Sequence, residues 1–439
     1  MSLFGAMNTA VSGLSAESAE FANISDNVAN SQTVGYKGVD TNFIDYLTSS
    51  TPEANDPSTV VALPGYTNTI QGTITQTSNP LNLAISGQGF FAVSDATSTT
   101  GTTTSFSPEQ YYTQAGDFSM NSQGYLVNSA GYYLDGWSVD PTTGTVDQNA
   151  LTPIQVSQTA YAPVATSEVD LAANLPATPS STTPITSQVQ VYDALGNQQT
   201  VDLTWTQTGT DTWTVDITAP DATNGPDLGT ATVDFGPTAS GNAVADGTVG
   251  NVSVDAADPG TLTTSTYAAN SPASISFTAD FGNGNQTIAL NLGDYGASNG
   301  LTQYAGTSYT LNNLSQNGVP PGAFSSVTIS DSGDVTINYN NGESQTIAQV
   351  PVVTFNAPDQ LQSQNGQAFT ATQNSGDAIV NSAGTGGSGS LVTSAVEDSN
   401  VDLSSEFSQL IVAQEAYSAN TKTISTASQM VQSLLNIIQ

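Results

Sequence analysis

The sequence predicts a mainly β protein with α-helical coiled-coil termini, a nested multidomain rod-like subunit whose outer domains are β-barrel- or sandwich-like. Three observations lead there. Apolar residues recur at heptad spacing at both extreme ends of the chain. Between those ends the pattern changes to short alternating segments bounded by Gly, Asn, Asp and Pro. The length of 439 residues exceeds what one hydrophobic core usually organises, so about two to four domains are expected.

The N-terminal segment places Leu3, Met7, Ala10, Leu14, Phe21, Ile24 and Val28 on one ladder of threes and fours, with Glu17 on the remaining rung. Gly5 and Gly13 lie within it, and each lowers helix stability by about 1 kcal/mol relative to Ala. The helix is therefore marginal alone and requires a partner. The C-terminal segment repeats the pattern through Leu403, Phe407, Leu410, Tyr417, Ile424, Val431, Leu435 and Ile438, with Gln414, Thr421 and Ser428 on polar rungs. Asp402 or Ser399 is the expected N-cap. A helix over 403–438 would span roughly 54 Å, and the shared period favours pairing the two ends as a coiled coil.

The middle reads as hairpins. Residues 188–193 (QVQVYD), 201–206 (VDLTWT) and 212–217 (TWTVDI) are separated by ALGN and GTD turns. Residues 327–329 and 335–339 flank a further turn, SDSGD. The stretches 175–184 (LPATPSSTTP) and 382–390 (SAGTGGSGS) have linker composition. The expected organisation is nested: 1–30 with 400–439 as a helical core domain, 31–75 with 386–399 as a connecting region, 76–152 with 299–385 as an inner β domain, and 153–298 as an inserted outer β domain.

Charge narrows the function. The chain has 37 Asp plus Glu, two Lys plus Arg and no His, for a net charge of −35. Both bases are lysines, Lys37 and Lys422. Charged residues total 9%, against about 25% in an average domain, so the chain is depleted in bases rather than enriched in acids. Nucleic-acid binding is disfavoured, since it needs clustered cations, and so is docking on an anionic membrane. The absence of Cys and His removes thiolate chemistry and the commonest general base and metal ligands. No apolar run approaches about 20 residues, so no membrane insertion is expected. The first residues lack a basic n-region, so export without a cleaved signal peptide is expected. Asp246, Asp255 and Asp258 cluster in sequence but match no calcium-loop spacing. No catalytic residue, cofactor or metal site is assigned. A carboxylate-only carbohydrate-active β protein and a secreted adhesin are the alternatives of a different class.

Residues 12–37 (SGLSAESAEFANISDNVANSQTVGYK) carry an SGL opening, an ISDNVAN core and a TVGYK close. This segment, together with 399–437 (SNVDLSSEFSQLIVAQEAYSANTKTISTASQMVQSLLNI), resembles the terminal signatures of bacterial flagellar rod and hook axial proteins. Residues 83–93 (LAISGQGFFAV), 112–137 (YTQAGDFSMNSQGYLVNSAGYYLDGW) and 366–377 (GQAFTATQNSGD) resemble the β domain next to the core. The matching segments cover roughly half the chain, in the family's order. The long middle insertion favours a hook-type member over a distal rod or hook-associated one. Glu415 and Gln114 stand where the family usually carries Arg.

The resemblance implies an extracellular structural subunit of the flagellum. Its implied partners are itself, as a helical homopolymer; distal rod, hook cap and hook–filament junction proteins; and the flagellar type III export apparatus. The residues it implies in assembly are those of the two ladders, with Asn27 and Asn30. Gly35, Tyr36 and Lys37 form the turn after the first helix. Asn27 and Asn30 are expected either to bond across subunits or to make local turns, and Lys37 to pair with a neighbour's carboxylate or to be solvated.

Overall fold

The computed structural model describes residues 3–50, 55–100, 103–180, 183–255 and 262–438. It divides into two compact units. One comprises residues 1–158, 325–338 and 344–439; the other comprises 159–324 and 339–343. Residues 299–324 lie in the second unit and not with the inner β domain expected for them, because Thr310–Gln316 pairs antiparallel with Glu168–Asn174.

The second unit is a sandwich of two open five-stranded sheets, and neither closes into a barrel. One sheet is a meander of Ile185–Tyr192, Gln198–Gly209, Thr212–Thr218, Asp227–Phe235 and Val249–Val254. The other is ordered Thr263–Thr264, Pro272–Asp280, Asn285–Asp294, Glu168–Asn174 and Thr310–Gln316. Alternation along each strand sends one face inward. Leu203, Trp205, Val215 and Ile217 from the first sheet share a core with Leu171, Ile275, Phe277 and Leu290 from the second. The predicted hairpins therefore form in register, Val189 opposite Val201 and Trp205 opposite Val215. The GTD turn is closed by Asp211 at φ 60°. The stretch 175–184, of linker composition, is a connection inside this unit: Leu175 is fully buried and its N–H donates to the Thr302 carbonyl at 2.8 Å.

The first unit holds the two long helices, Leu3–Ala29 and Leu403–Ile438. It also holds a hairpin of Val39–Ser50 and Asn55–Tyr66 and a mixed set of short strands. The central strands of its largest sheet run Ser344–Gln349, Tyr133–Val139, Phe91–Ser94, Tyr111–Thr113 and Ala368–Thr370. Phe90, Tyr112, Phe355 and Phe369 pack edge to face beside this sheet at centroid distances of 4.9–5.9 Å. The Gly/Ser-rich stretch 382–390 forms tight turns joining Ile379–Ser382 to Ser390–Thr393.

Each β unit has its own apolar core, so damage to one core should register locally. Leu203 is 1% exposed, and Leu203→Ala is expected to destabilise the second unit by about 2–5 kcal/mol. Denaturant unfolding followed by tryptophan emission would measure it, since Trp205 and Trp213 share that core.

Candidate assembly site at the chain termini

The N-terminal helix is held on two sides. One side meets the hairpin: Ser12 Oγ accepts from Val60 N–H at 3.1 Å and Asn23 Nδ2 donates to Thr41 Oγ1 at 2.8 Å. The other meets the C-terminal helix, which runs antiparallel to it. Asn27 Nδ2 donates to Glu406 Oε1 at 2.9 Å, Phe21 stacks edge to face on Tyr417 at 6.2 Å, and Gly13 lies against Asn420. A Cβ at position 13 would sit 2.9 Å from Asn420 Nδ2, so the glycine leaves room for the Asn420 amide against the N-terminal helix. The C-terminal helix is capped by Asp402, whose Oδ1 accepts from Ser404 N–H at 2.8 Å.

On the N-terminal ladder, Ala10 and Ile24 are buried, and Met7, Leu14, Phe21 and Val28 are half-buried. The C-terminal ladder divides. Leu410, Ile424 and Val431 are half-buried, whereas Leu403, Phe407 and Tyr417 are 42%, 52% and 43% exposed. Among the described side chains of this helix, the fully buried positions are Glu406, Ala413 and Ala427. The contact seam thus keeps the heptad 410, 417, 424, 431 and interleaves it with 406, 413, 420 and 427, where small or polar residues admit the neighbouring helix. The side chains of Leu3, Leu435 and Ile438 lie outside the described residues. So does Asp258, while Asp246 lies with Asp211 at a shallow cavity of about 220 Å³.

The turn after the first helix is fixed by polar contacts. Asn27, 2% exposed, accepts from Val39 N–H at 2.9 Å and Tyr36 OH at 3.2 Å, and donates to the Val39 carbonyl. Asn30 is locally engaged, with Nδ2 donating to the Asp26 carbonyl and Oδ1 accepting from Thr33. Gly35 has φ 68°, and a Cβ there would lie 2.5 Å from Ala115 N, so only glycine fits.

Lys37 is neither solvated nor free for a neighbouring subunit. It is buried within its own chain, with Nζ 2.6 Å from Glu397 Oε1 and both side chains 2% exposed. Lys37 also donates to the Ile70 carbonyl at 2.8 Å, and Glu397 Oε1 accepts from Gly72 N–H at 2.7 Å. The Glu397 carbonyl takes the Gly35 N–H at 2.8 Å. Burial pulls the lysine below its ordinary value, and the Glu397 carboxylate opposes that shift. Among the described residues this is the one ion pair. It joins the turn after the first helix, the loop 67–72 and the strand Ala395–Glu397 that leads to the last helix. Asn400 closes the same junction, accepting from Gly38 N–H at 2.8 Å and donating to Thr67 Oγ1 at 3.0 Å.

Two parts of this site escape a reading of the sequence. Glu397 lies 360 residues from Lys37, and no local pattern links them. The hairpin at 39–66 has a local signal, the apolar-rich runs NFIDYL and STVVAL separated by the Pro-, Asn- and Asp-containing sequence TPEAND.

Lys37→Met leaves Glu397 buried without its cation and is expected to destabilise the first unit by about 3–5 kcal/mol. Adding Glu397→Leu should restore only part of this loss, because Gly72 N–H loses its partner and the Ile70 carbonyl keeps only Asn400 Nδ2. A double-mutant cycle by denaturant unfolding measures both effects.

Comparison with known proteins finds sequence relatives along the whole chain. The family described as "Flagella basal body rod protein" matches residues 7–37, and "Flagellar basal body rod FlgEFG protein C-terminal" matches 392–437. Between them, "Flagellar hook protein FlgE/F/G D1 domain" matches 84–162 and "Flagellar basal body protein FlaE D2 domain" matches 157–319. The chain is 31% identical over 442 residues to the flagellar hook protein FlgE of Brucella suis biovar 1, covering 100% of both chains. It is 30% identical over 446 residues to that of Escherichia coli K12, covering 98% of this chain and 100% of the relative. The crystal structure of Helicobacter pylori flagellar hook protein FlgE2 aligns with 72% of this chain and 98% of that one, at a TM-score of 0.47 and 14% identity. The chain belongs to the flagellar hook protein family and is a structural subunit of the bacterial flagellar hook.

Proposed function

We propose that this subunit polymerises through its terminal unit into a flexible, curved tube, a universal joint that passes torque from rod to filament. The observation that carries this reading is a pair of apolar stripes that the subunit leaves uncovered. In an antiparallel pair, directly opposed residues share a face. Ile44 opposite Val61, with Leu63 and Tyr46 in step, therefore shares the hairpin face opposite to Thr41, the residue that bonds Asn23 of the N-terminal helix. All four are 38–55% exposed. On the C-terminal helix, Leu403, Phe407 and Ile411 follow at i, i+4 and i+8, 42–60% exposed, on a side distinct from the seam through Ala413 and Ala427. Contiguous exposed apolar surface of this kind marks a protein interface.

A second copy of the chain suits both stripes. The chain carries −35 in charge with two bases, so contacts between copies must be built from apolar area and amide hydrogen bonds rather than ion pairs. Identical subunits joined by contacts that do not close on themselves generate a helical filament. The Ser-, Thr-, Asn- and Gln-rich surfaces of the β units suit sliding between neighbours, because similar hydrogen bonds exchange at small net cost. The resident location is the extracellular hook of the flagellum, reached through the flagellar type III apparatus, with distal rod, hook cap and junction proteins at its ends.

Ile411→Asp and Ile44→Asp place a charge in these stripes without touching either core. Each is expected to raise the critical concentration for polymerisation about tenfold or more, while unfolding of the subunit stays unchanged. Deleting residues 403–439 should abolish polymer and leave the tryptophan signal of the second unit native. Sedimentation and electron microscopy supply the readout, and curved tubes formed normally by Ile411→Asp would reject the interface.

A further inference from the structure

The helix pair contains carboxyl groups in positions where a coiled coil normally places apolar side chains. Glu17 and Glu20 lie one turn apart on the N-terminal helix, both half-buried, and Glu17 Oε2 is buried with no hydrogen-bond partner. Glu406 is a buried seam residue of the C-terminal helix. Its Oε1 accepts from Asn27, and its Oε2 is buried and likewise lacks a partner. A buried carboxylate oxygen without a donor is costly. A carboxylic acid in the same place costs less, because its proton removes the charge and, for Glu20, supplies a donor toward Glu17.

Among the described residues no cation faces these groups, and only the Asn27 amide and the first turn of the C-terminal helix favour the charged form, at Glu406. The N-terminal helix itself adds Asp26. The described part of the hairpin packed on it brings Asp40 and Asp45 and no base. The C-terminal helix brings Glu415 and one cation, Lys422, which is exposed. Tyr36 and Tyr417 also face the N-terminal helix and bring no positive charge. The only other lysine, Lys37, is held by Glu397.

We propose that protons close the terminal helix pair: in the closed form Glu20 is protonated and donates to Glu17, and Glu406 keeps its own proton, so the pair tightens in acid and loosens as the pH rises. The direction of the titrations agrees. Glu20 is pushed up to about 7, chiefly by burial, then by its hydrogen bond with Glu17 and that residue's charge. Burial raises Glu406, with the Asp40 charge adding to it and the Asn27 hydrogen bond opposing it. Carboxyls whose folded values lie above their unfolded ones favour the folded pair at low pH. That advantage is full below the unfolded value of 4.5 and is lost as the pH rises through about 7 for Glu20. Closure would thereby respond to the pH of the medium before any contact between subunits is made.

Site-resolved amide exchange on the full-length monomer, below the concentration for assembly and corrected for intrinsic exchange rates, tests this separately from polymerisation. Protection of amides in residues 17–27 is expected to be about threefold to tenfold greater at pH 5 than at pH 8, and to remain so in 0.5 M salt (~3–10 Å Debye length). Glu20→Gln should hold protection at its acid level across that range, and Glu406→Gln should do so for amides near Asn27. Equal protection at the two pH values in the wild-type chain would overturn the proposal. So would an equal flattening by Glu415→Gln, an exposed carboxyl on the C-terminal helix, since that would assign the effect to general charge repulsion. If Glu20→Gln does not fold, Glu406→Gln and the wild-type pH comparison still decide the outcome.

Discussion

The buried pair Lys37–Glu397 is the constraint on which the junction between helices and β structure depends. An unpaired ammonium or carboxylate is expensive inside a protein, so the two side chains can be buried only together. Their partners then bring three distant pieces of chain to one place. Lys37 takes the Ile70 carbonyl, and Glu397 takes Gly72 N–H and, through its carbonyl, Gly35 N–H. The first helix leaves this point and the last helix begins a few residues beyond it. The pair thus determines where both helices start to run alongside each other. In a chain with two bases in 439 residues, one of them serves this internal role.

From that junction the helices are matched by small side chains rather than large ones. Ala10, Gly13, Ala413 and Ala427 let the backbones approach, while Asn27, Asn420 and Glu406 supply polar contacts within the seam. Such a seam buries little apolar area, so the helix pair draws modest stability from the hydrophobic effect. Its larger apolar groups, Phe407 and Ile411 among them, are left facing outward. A subunit built this way keeps its strongest apolar surface for contacts with other copies. Its internal helix contact then remains sensitive to the ionisation of a few carboxyls. The two β units differ from it in kind, since each closes a large apolar core of its own, as in the sandwich around Trp205 and Trp213.

Much of this organisation is legible in the sequence because it is local. Heptad spacing specifies two long helices and their ends. Alternation specifies the hairpins from Ile185 to Thr218, and the turn chemistry of Asp193–Asn197 and Gly209–Thr212 specifies their register. The motifs around ISDNVAN and TVGYK identify the family. Gly35 as the turn residue also follows from its neighbours, and its φ of 68° is the reason.

Tertiary structure alone decided which face of the last helix is covered. A heptad of apolar residues marks a stripe. The stripe that packs, however, is the one whose small residues fit the partner helix, and this depends on Gly13 and Asn420 meeting across hundreds of residues. The same holds for Lys37. Composition shows that a lysine is rare here, yet only the fold brings Glu397 within 2.6 Å of it, and desolvation then makes that pairing obligatory. Local periodicity thus determined the elements of this protein, while close approach and burial, which exist only in three dimensions, decided their partners.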